Sequence, residues 1–175
     1  MRGQGPADLM EVTMALTVPL LLLGGVAKTP ADARKLAQDA IDSGAALEKF
    51  RRIIEAQGGD PRVVDDVSRL PHVKQRHLVQ ATRSGYLARM DAELIGRASV
   101  VLGAGRDRVE DAVDPAVGIM VHKKPGAKIA AGETVLDVIY RDTSKLDSAL
   151  ELVNKAMAIE DRPPALRPLI VGEVR

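Results

Sequence analysis

Cysteine and tryptophan are absent from this chain of 175 residues, and Phe50 and two tyrosines are all its aromatic rings. Without cysteine there are no disulfides, no thiolate metal ligands and no cysteine nucleophile, and a reducing compartment suits the chain. Aromatics make up only 2% of the sequence, which removes the stacking platform that single-stranded nucleic acid requires. An excess of either charge is missing too. The 25 basic and 24 acidic residues leave a net charge of +1, so no broad field draws nucleic acid or anionic lipid. A long apolar run is also lacking. Residues 14–27 are apolar and end in Gly25-Val26-Ala27, like a signal-peptide cleavage site, but Asp8 and Glu11 precede them and Pro19 interrupts them. The run is shorter than the roughly 20 residues a spanning helix needs, so it is expected to be a buried helix. No membrane or nucleic-acid partner is expected, and the predicted location is cytoplasmic.

What is present is aliphatic. A hydrophobic content of 46% suffices for a core, which has to be built from Leu, Val, Ile, Ala and Met. Gly5-Pro6-Ala7-Asp8 has the form of a helix start, and Leu9, Val12, Leu16 and Leu20 follow at helical spacing. Pro19 is expected to kink or split that helix, and Gly24-Gly25 to end it. Thr29-Pro30-Ala31-Asp32 opens a second helix with an N-cap, a proline and an acid. Its predicted buried stripe is Ala33, Leu36, Ala37, Ala40 and Ile41, closed by Ser43-Gly44. A third helix, 45–57, is predicted to bury Leu47, Phe50, Ile53 and Ile54 before Gly58-Gly59-Asp60-Pro61 stops it.

The pattern changes near Arg83 from helical to strand-and-turn. Strands are predicted over 77–82, 85–90, 117–122 and 134–140, with Ala130-Ala131-Gly132-Glu133 as a hairpin turn. Asp91 caps a helix running through Leu94, Ile95, Ala98, Val101 and Leu102. Ser144 opens a last helix with Leu146, Leu150, Val153 and Met157 on one face. Pro163-Pro164 and Pro168 then force an extended tail. The expected fold class is α/β (α+β).

Several motifs invite a chemical reading. Gly103-Ala104-Gly105-Arg106-Asp107 looks like a phosphate loop, but that motif needs a strand before it and a helix after it. Here a helix comes first, so a helix-ending turn is the reading. His122-Lys123-Lys124 at a strand end suggests a base beside an anion, although paired lysines before a turn are usually solvated. His72, His77 and His122 lack metal-ligand spacing. Glu110, Asp111 and Asp114 form an acidic loop, and Ser43 and Ser84 precede glycines outside any nucleophile elbow. The glycine-marked segments around Ser84-Gly85-Tyr86 and 125–133 are also similar to biotinyl and lipoyl carrier domains. Lys128 is the nearest candidate acceptor there, but it lacks the carrier triplet.

Gly5-Pro6-Ala7-Asp8-Leu9, Ser43-Gly44-Ala45-Ala46-Leu47-Glu48-Lys49-Phe50 and Ala56-Gln57-Gly58-Gly59-Asp60-Pro61 are followed by Val63-Val64-Asp65-Asp66. Leu102-Gly103-Ala104-Gly105-Arg106 and Val117-Gly118-Ile119 through His122-Lys123-Lys124 come next. In that order these words resemble the C-terminal portion of the thymidine and pyrimidine-nucleoside phosphorylases. Pro19 departs from the family's unbroken helix. The resemblance implies helices of the phosphorylase α/β domain over 1–83 and the family's hammerhead-like C-terminal α/β domain over 84–175. It implies phosphorolysis of thymidine, deoxyuridine or uridine, with phosphate and nucleoside as ligands and no cofactor. The family's phosphate- and base-binding motifs, its cation site and its dimer-forming helical domain all lie upstream of the matching stretch. No catalytic, substrate-binding or metal residue therefore carries over, and the isolated chain is expected to be inactive without an N-terminal portion. The alternatives are a stand-alone carrier-like module and one half of a split phosphorylase.

Overall fold

The computed structural model describes residues 1–106 and 108–174; Asp107, at the end of the glycine turn, and Arg175 lie outside the described residues. Two compact units emerge. One comprises residues 1–69 with the segment from Arg167 onward, and the other comprises Leu70–Leu166.

The first unit is helical. α1 (Ala7–Leu23) starts after Pro6 and runs through Pro19 without being split. Gly24 closes it, donating its N–H to Leu20 O. α2 (Pro30–Asp42) begins as its sequence demands: Thr29 Oγ1 accepts from the Asp32 N–H at 3.1 Å, and its hydroxyl donates to Asp32 Oδ2 at 2.7 Å. α3 (Ala45–Ala56) follows Gly44. The predicted stripes are only partly covered. Met14 and Ala33 are buried, but Leu9, Leu16, Leu20, Leu23, Leu36, Phe50 and Ile53 are exposed. Three short helices around one another cannot cover all their apolar faces.

Ion pairs finish what packing does not. The Arg51 guanidinium grips Asp65 with two bonds, Nη1 to Oδ2 at 2.8 Å and Nη2 to Oδ1 at 2.9 Å, and also reaches Glu48 and the Pro61 carbonyl. Asp60 accepts from the Arg62 backbone N–H and side chain, capping the 3-10 turn Pro61–Val64. The words Gly58-Gly59-Asp60-Pro61 and Val63-Val64-Asp65-Asp66 thus have structural duties.

The second unit holds two three-stranded antiparallel sheets. β1 (Arg76–Gln80), β5 (Thr134–Ile139) and β3 (Gly118–Val121) form the first in the order β1-β5-β3. β4 (Lys128–Ile129), β2 (Gly85–Met90) and β6 (Met157–Glu160) form the second in the order β4-β2-β6. α4 (Ala92–Leu102) and α5 (Leu146–Ala156) cover one face of the first sheet. Val79, Leu136 and Val138 meet Ala98, Leu102, Ala149 and Val153 there. A smaller cluster of Ala81, Leu87, Ile129 and Val135 joins the sheets. The buried residues of both clusters are aliphatic, with Tyr140 packed against the larger one.

Three details differ from the sequence reading. The turn 130–133 does not close a hairpin; it carries the chain from β4 in one sheet to β5 in the other. Met157 lies in β6 instead of on the last helix, because Met157–Glu160 pairs with β2. The compact unit also begins upstream of Arg83, because β1 pairs along its length with β5.

The carboxylates predict an acid response. Hydrogen bonds from the Arg62 side chain and then its backbone N–H hold Asp60 at about 2, below the ordinary value of 3.8. Arg51 lowers Asp65, Arg141 lowers Asp114, and Lys123 lowers Glu133. A carboxyl depressed in the folded state stabilises fully above its unfolded pKa and loses that contribution as pH falls through the folded value. Urea unfolding midpoints are expected to fall as pH drops from about 4 toward 2. A rise over the same range would refute this account.

Candidate functional site

The chemistry-bearing residues gather on the first sheet of the second unit. β5 reads Thr-Val-Leu-Asp-Val-Ile, and its alternation sends Leu136 and Val138 into the helical core. Asp137 must then face the other way, between Leu78 of β1 and Met120 of β3 in register. Among the described residues it is the buried charged one, 5% exposed. Its Oδ1 lies 3.0 Å from His122 Nε2, just past the end of β3, and its Oδ2 lies 3.5 Å from Arg76 Nη1 on β1. Oδ1 nevertheless accepts no aligned hydrogen bond among the described residues.

This cluster has half of what a hydrolytic triad needs. A carboxylate oriented toward an imidazole can support a base, but a nucleophile must complete it. Among the described residues no serine or threonine hydroxyl hydrogen-bonds to His122. The sequence-flagged hydroxyl of this unit, Ser84, instead accepts the Ala131 N–H through Oγ at 2.9 Å. No group of three or more His, Cys, Asp and Glu converges as metal ligands among the described residues.

The other flagged residues are dispersed and engaged. Lys123 Nζ pairs with Glu133 Oε1 at 2.6 Å, and Glu133 Oε2 accepts the Ala130 N–H. The basic pair His122-Lys123 is therefore held by two carboxylates and does not form an open anion site. Asp114 of the acidic loop accepts from Arg141 Nε at 2.8 Å and from the Ala116 N–H at 3.0 Å. Its own N–H returns to Gly103 O, closing the base of that loop. His72 Nδ1 contacts Leu70 O, and the Ser43 hydroxyl donates to Asp39 O. Lys128 sits in β4 opposite Tyr86, in a strand instead of at a hairpin tip.

Gly103 caps α4 with φ of 104°, the left-handed conformation expected of it. The N–H groups of Gly103 and Ala104 return to Val100 O and Ser99 O. Backbone donors spent on the helix end cannot cradle a phosphate, which separates this turn from a true phosphate loop.

Asp137 and Arg76 were not singled out from the sequence. The available signal was one carboxylate inside an otherwise apolar six-residue strand. Removing the partners alone strands that charge, because a buried unpaired group costs about 1–3 kcal/mol. The double variant Arg76→Ala, His122→Ala is therefore expected to unfold more readily in urea. Adding Asp137→Val to that background is expected to restore the midpoint. A double variant as stable as the parent would show that the cluster contributes nothing.

Residues 86–160 match the family described as the pyrimidine nucleoside phosphorylase C-terminal domain. Over 174 residues, 99% of this chain, the sequence is 41% identical to a pyrimidine-nucleoside phosphorylase of Staphylococcus aureus strain bovine RF122 / ET3-1. Over the same length it is 40% identical to that of strain USA300. In both cases the matched stretch is 40% of the relative, so the chain spans about two-fifths of the length of the curated relatives it matches. The second unit carries that C-terminal domain, and the chain belongs to the pyrimidine-nucleoside phosphorylase family as its C-terminal portion.

Proposed function

We propose that this chain serves as the C-terminal part of a thymidine or pyrimidine-nucleoside phosphorylase and supplies scaffold in place of reacting groups. The observation that carries the reading is identity of about 40% maintained over 99% of the chain, through both compact units. The reaction is reversible phosphorolysis in pyrimidine salvage. Inorganic phosphate attacks the anomeric carbon of thymidine, deoxyuridine or uridine, the glycosidic bond breaks, and the pyrimidine leaves as an anion that takes up a proton. The pentose remains as its 1-phosphate. A phosphate dianion and a departing anion both need preorganised donors beside the sugar.

Many basic groups of this chain are already committed: Arg51 to Asp65, Arg141 to Asp114 and Lys123 to Glu133. This supports placing the phosphate- and base-holding residues in the N-terminal portion, with no resident cofactor. Residues 1–83 would continue the phosphorylase α/β domain and 84–175 would form its C-terminal domain as segments of the family, with β1 of the first segment pairing into the second compact unit. Exposed leucines of α1 with Phe50 and Ile53 of α3 are then the surface that the N-terminal portion covers. Dimerisation would rest with a helical domain of the N-terminal portion. The setting is cytoplasmic.

Two assays test this. The purified chain, given thymidine or uridine and phosphate, is expected to release no free base. A Staphylococcus aureus relative whose matching stretch is replaced by this chain is expected to turn over within about tenfold of the parent, as is the same pair supplied as two polypeptides. Thymine release by the chain alone, or a folded chimera without turnover, would overturn the reading.

A further inference from the structure

We propose that a hollow between α4, α5 and the residue after the glycine turn binds a small amphipathic anion, a phosphate monoester or carboxylate carried on an apolar body. The hollow holds about 280 Å³ and is lined by Arg97, Val100 and Val101 of α4, Arg106, and Leu152 of α5. Its apolar wall is three aliphatic side chains, and its polar groups are two guanidiniums. Such a mixture of apolar lining and a few charged groups is what small-ligand sites are made of, and this volume suits a ligand of about one ring.

The two arginines stand apart from their neighbours. In the same unit Arg76, Arg83, Arg89 and Arg141 each meet an aspartate. Among the described residues neither Arg97 nor Arg106 has a carboxylate within ion-pair distance. Glu93 lies one helical turn before Arg97 without pairing to it, Asp114 is taken by Arg141, and Asp111 accepts the Arg108 N–H. Lys145 Nζ lies near Gly103, outside the hollow's lining. Both arginines are exposed at the rim of the hollow, and like charges on one rim favour an anion between them, the more so at low salt. The planar fork of a guanidinium matches carboxylate and phosphate oxygens in pairs.

The glycine turn places Arg106. Gly103 reverses the chain at the end of α4, and Gly105 then passes so close to the helix that a Cβ there would sit 2.9 Å from Val100 Cγ2. Arg106 is thus held by close backbone packing against the last turn of α4, on the side where Arg97 emerges. Because the N–H groups of Gly103 and Ala104 are spent on the helix, the two arginine side chains are the groups assigned to the anion. The site does not depend on the phosphorylase reading.

Phenyl phosphate is the probe, titrated into the full chain by calorimetry beside inorganic phosphate, benzoate and phenol. One saturable site is expected, with phenyl phosphate at least about tenfold tighter than inorganic phosphate or phenol. Benzoate tighter than phenol supports the shared anion chemistry, and its rank against phenyl phosphate tells which anion is preferred. Arg97→Gln and Arg106→Gln are each expected to weaken binding about tenfold, while Arg162→Gln leaves it unchanged. Gly105→Ala, which displaces Arg106, is expected to weaken it similarly. Absence of saturable binding, phenol binding as tightly as phenyl phosphate, or wild-type affinity in both arginine variants with unchanged melting curves would overturn the proposal.

Discussion

The second unit is organised around one strand that has to be covered on both sides. β5 lies in the middle of its sheet, with Leu136 and Val138 against two helices and Val135 against the neighbouring sheet. A central strand of this kind needs apolar residues at successive positions, which is what Thr134–Ile139 provides apart from one aspartate. Asp137 is tolerated because Arg76 of β1 and the His122 imidazole just past β3 approach it from the two neighbouring strands. Both partners remain half in water, so their own desolvation is small and the cluster's cost falls almost wholly on the carboxylate.

The first unit is held on a different principle. Its helices bury little, and the chain after α3 is fixed by guanidinium–carboxylate contacts at the surface: Arg51 with Asp65, Arg62 and Arg69 with Asp60. Exposed pairs of this type contribute little individually and weaken with salt. They define the path of the loop more than they stabilise it. The apolar side chains left in solvent on α1 and α3 belong to the same description, since helices that share so small a core leave part of each stripe uncovered.

Local signals in the sequence translated well. Thr29-Pro30-Ala31-Asp32 and Asp91 cap the helices they precede, and Gly103 ends α4 in the left-handed conformation, because caps depend on a few adjacent residues. Features that depend on distant pairing did not. Met157 continues the spacing of Leu146, Leu150 and Val153, so only its pairing opposite Met90 of β2 reveals a strand. The turn at Gly132 has hairpin chemistry, yet the strands it joins lie in different sheets. Asp137 looked like one more charge until β1 and β3 were placed on either side of it. Arg97 and Arg106 are likewise brought to one hollow by a reversal that their separation in the chain does not announce.

The loop leaving α4 is tied off at its base. The Asp114 N–H meets Gly103 O, and Arg141 holds the Asp114 carboxylate from β5's far end. The sheet and helices therefore see a closed junction, whatever the length of the excursion between. Lengthening a loop whose ends are already joined adds entropy only logarithmically, about 0.6 kcal/mol for each doubling. Beyond Arg106, insertions and deletions in that excursion are expected to have little effect on the fold beneath it.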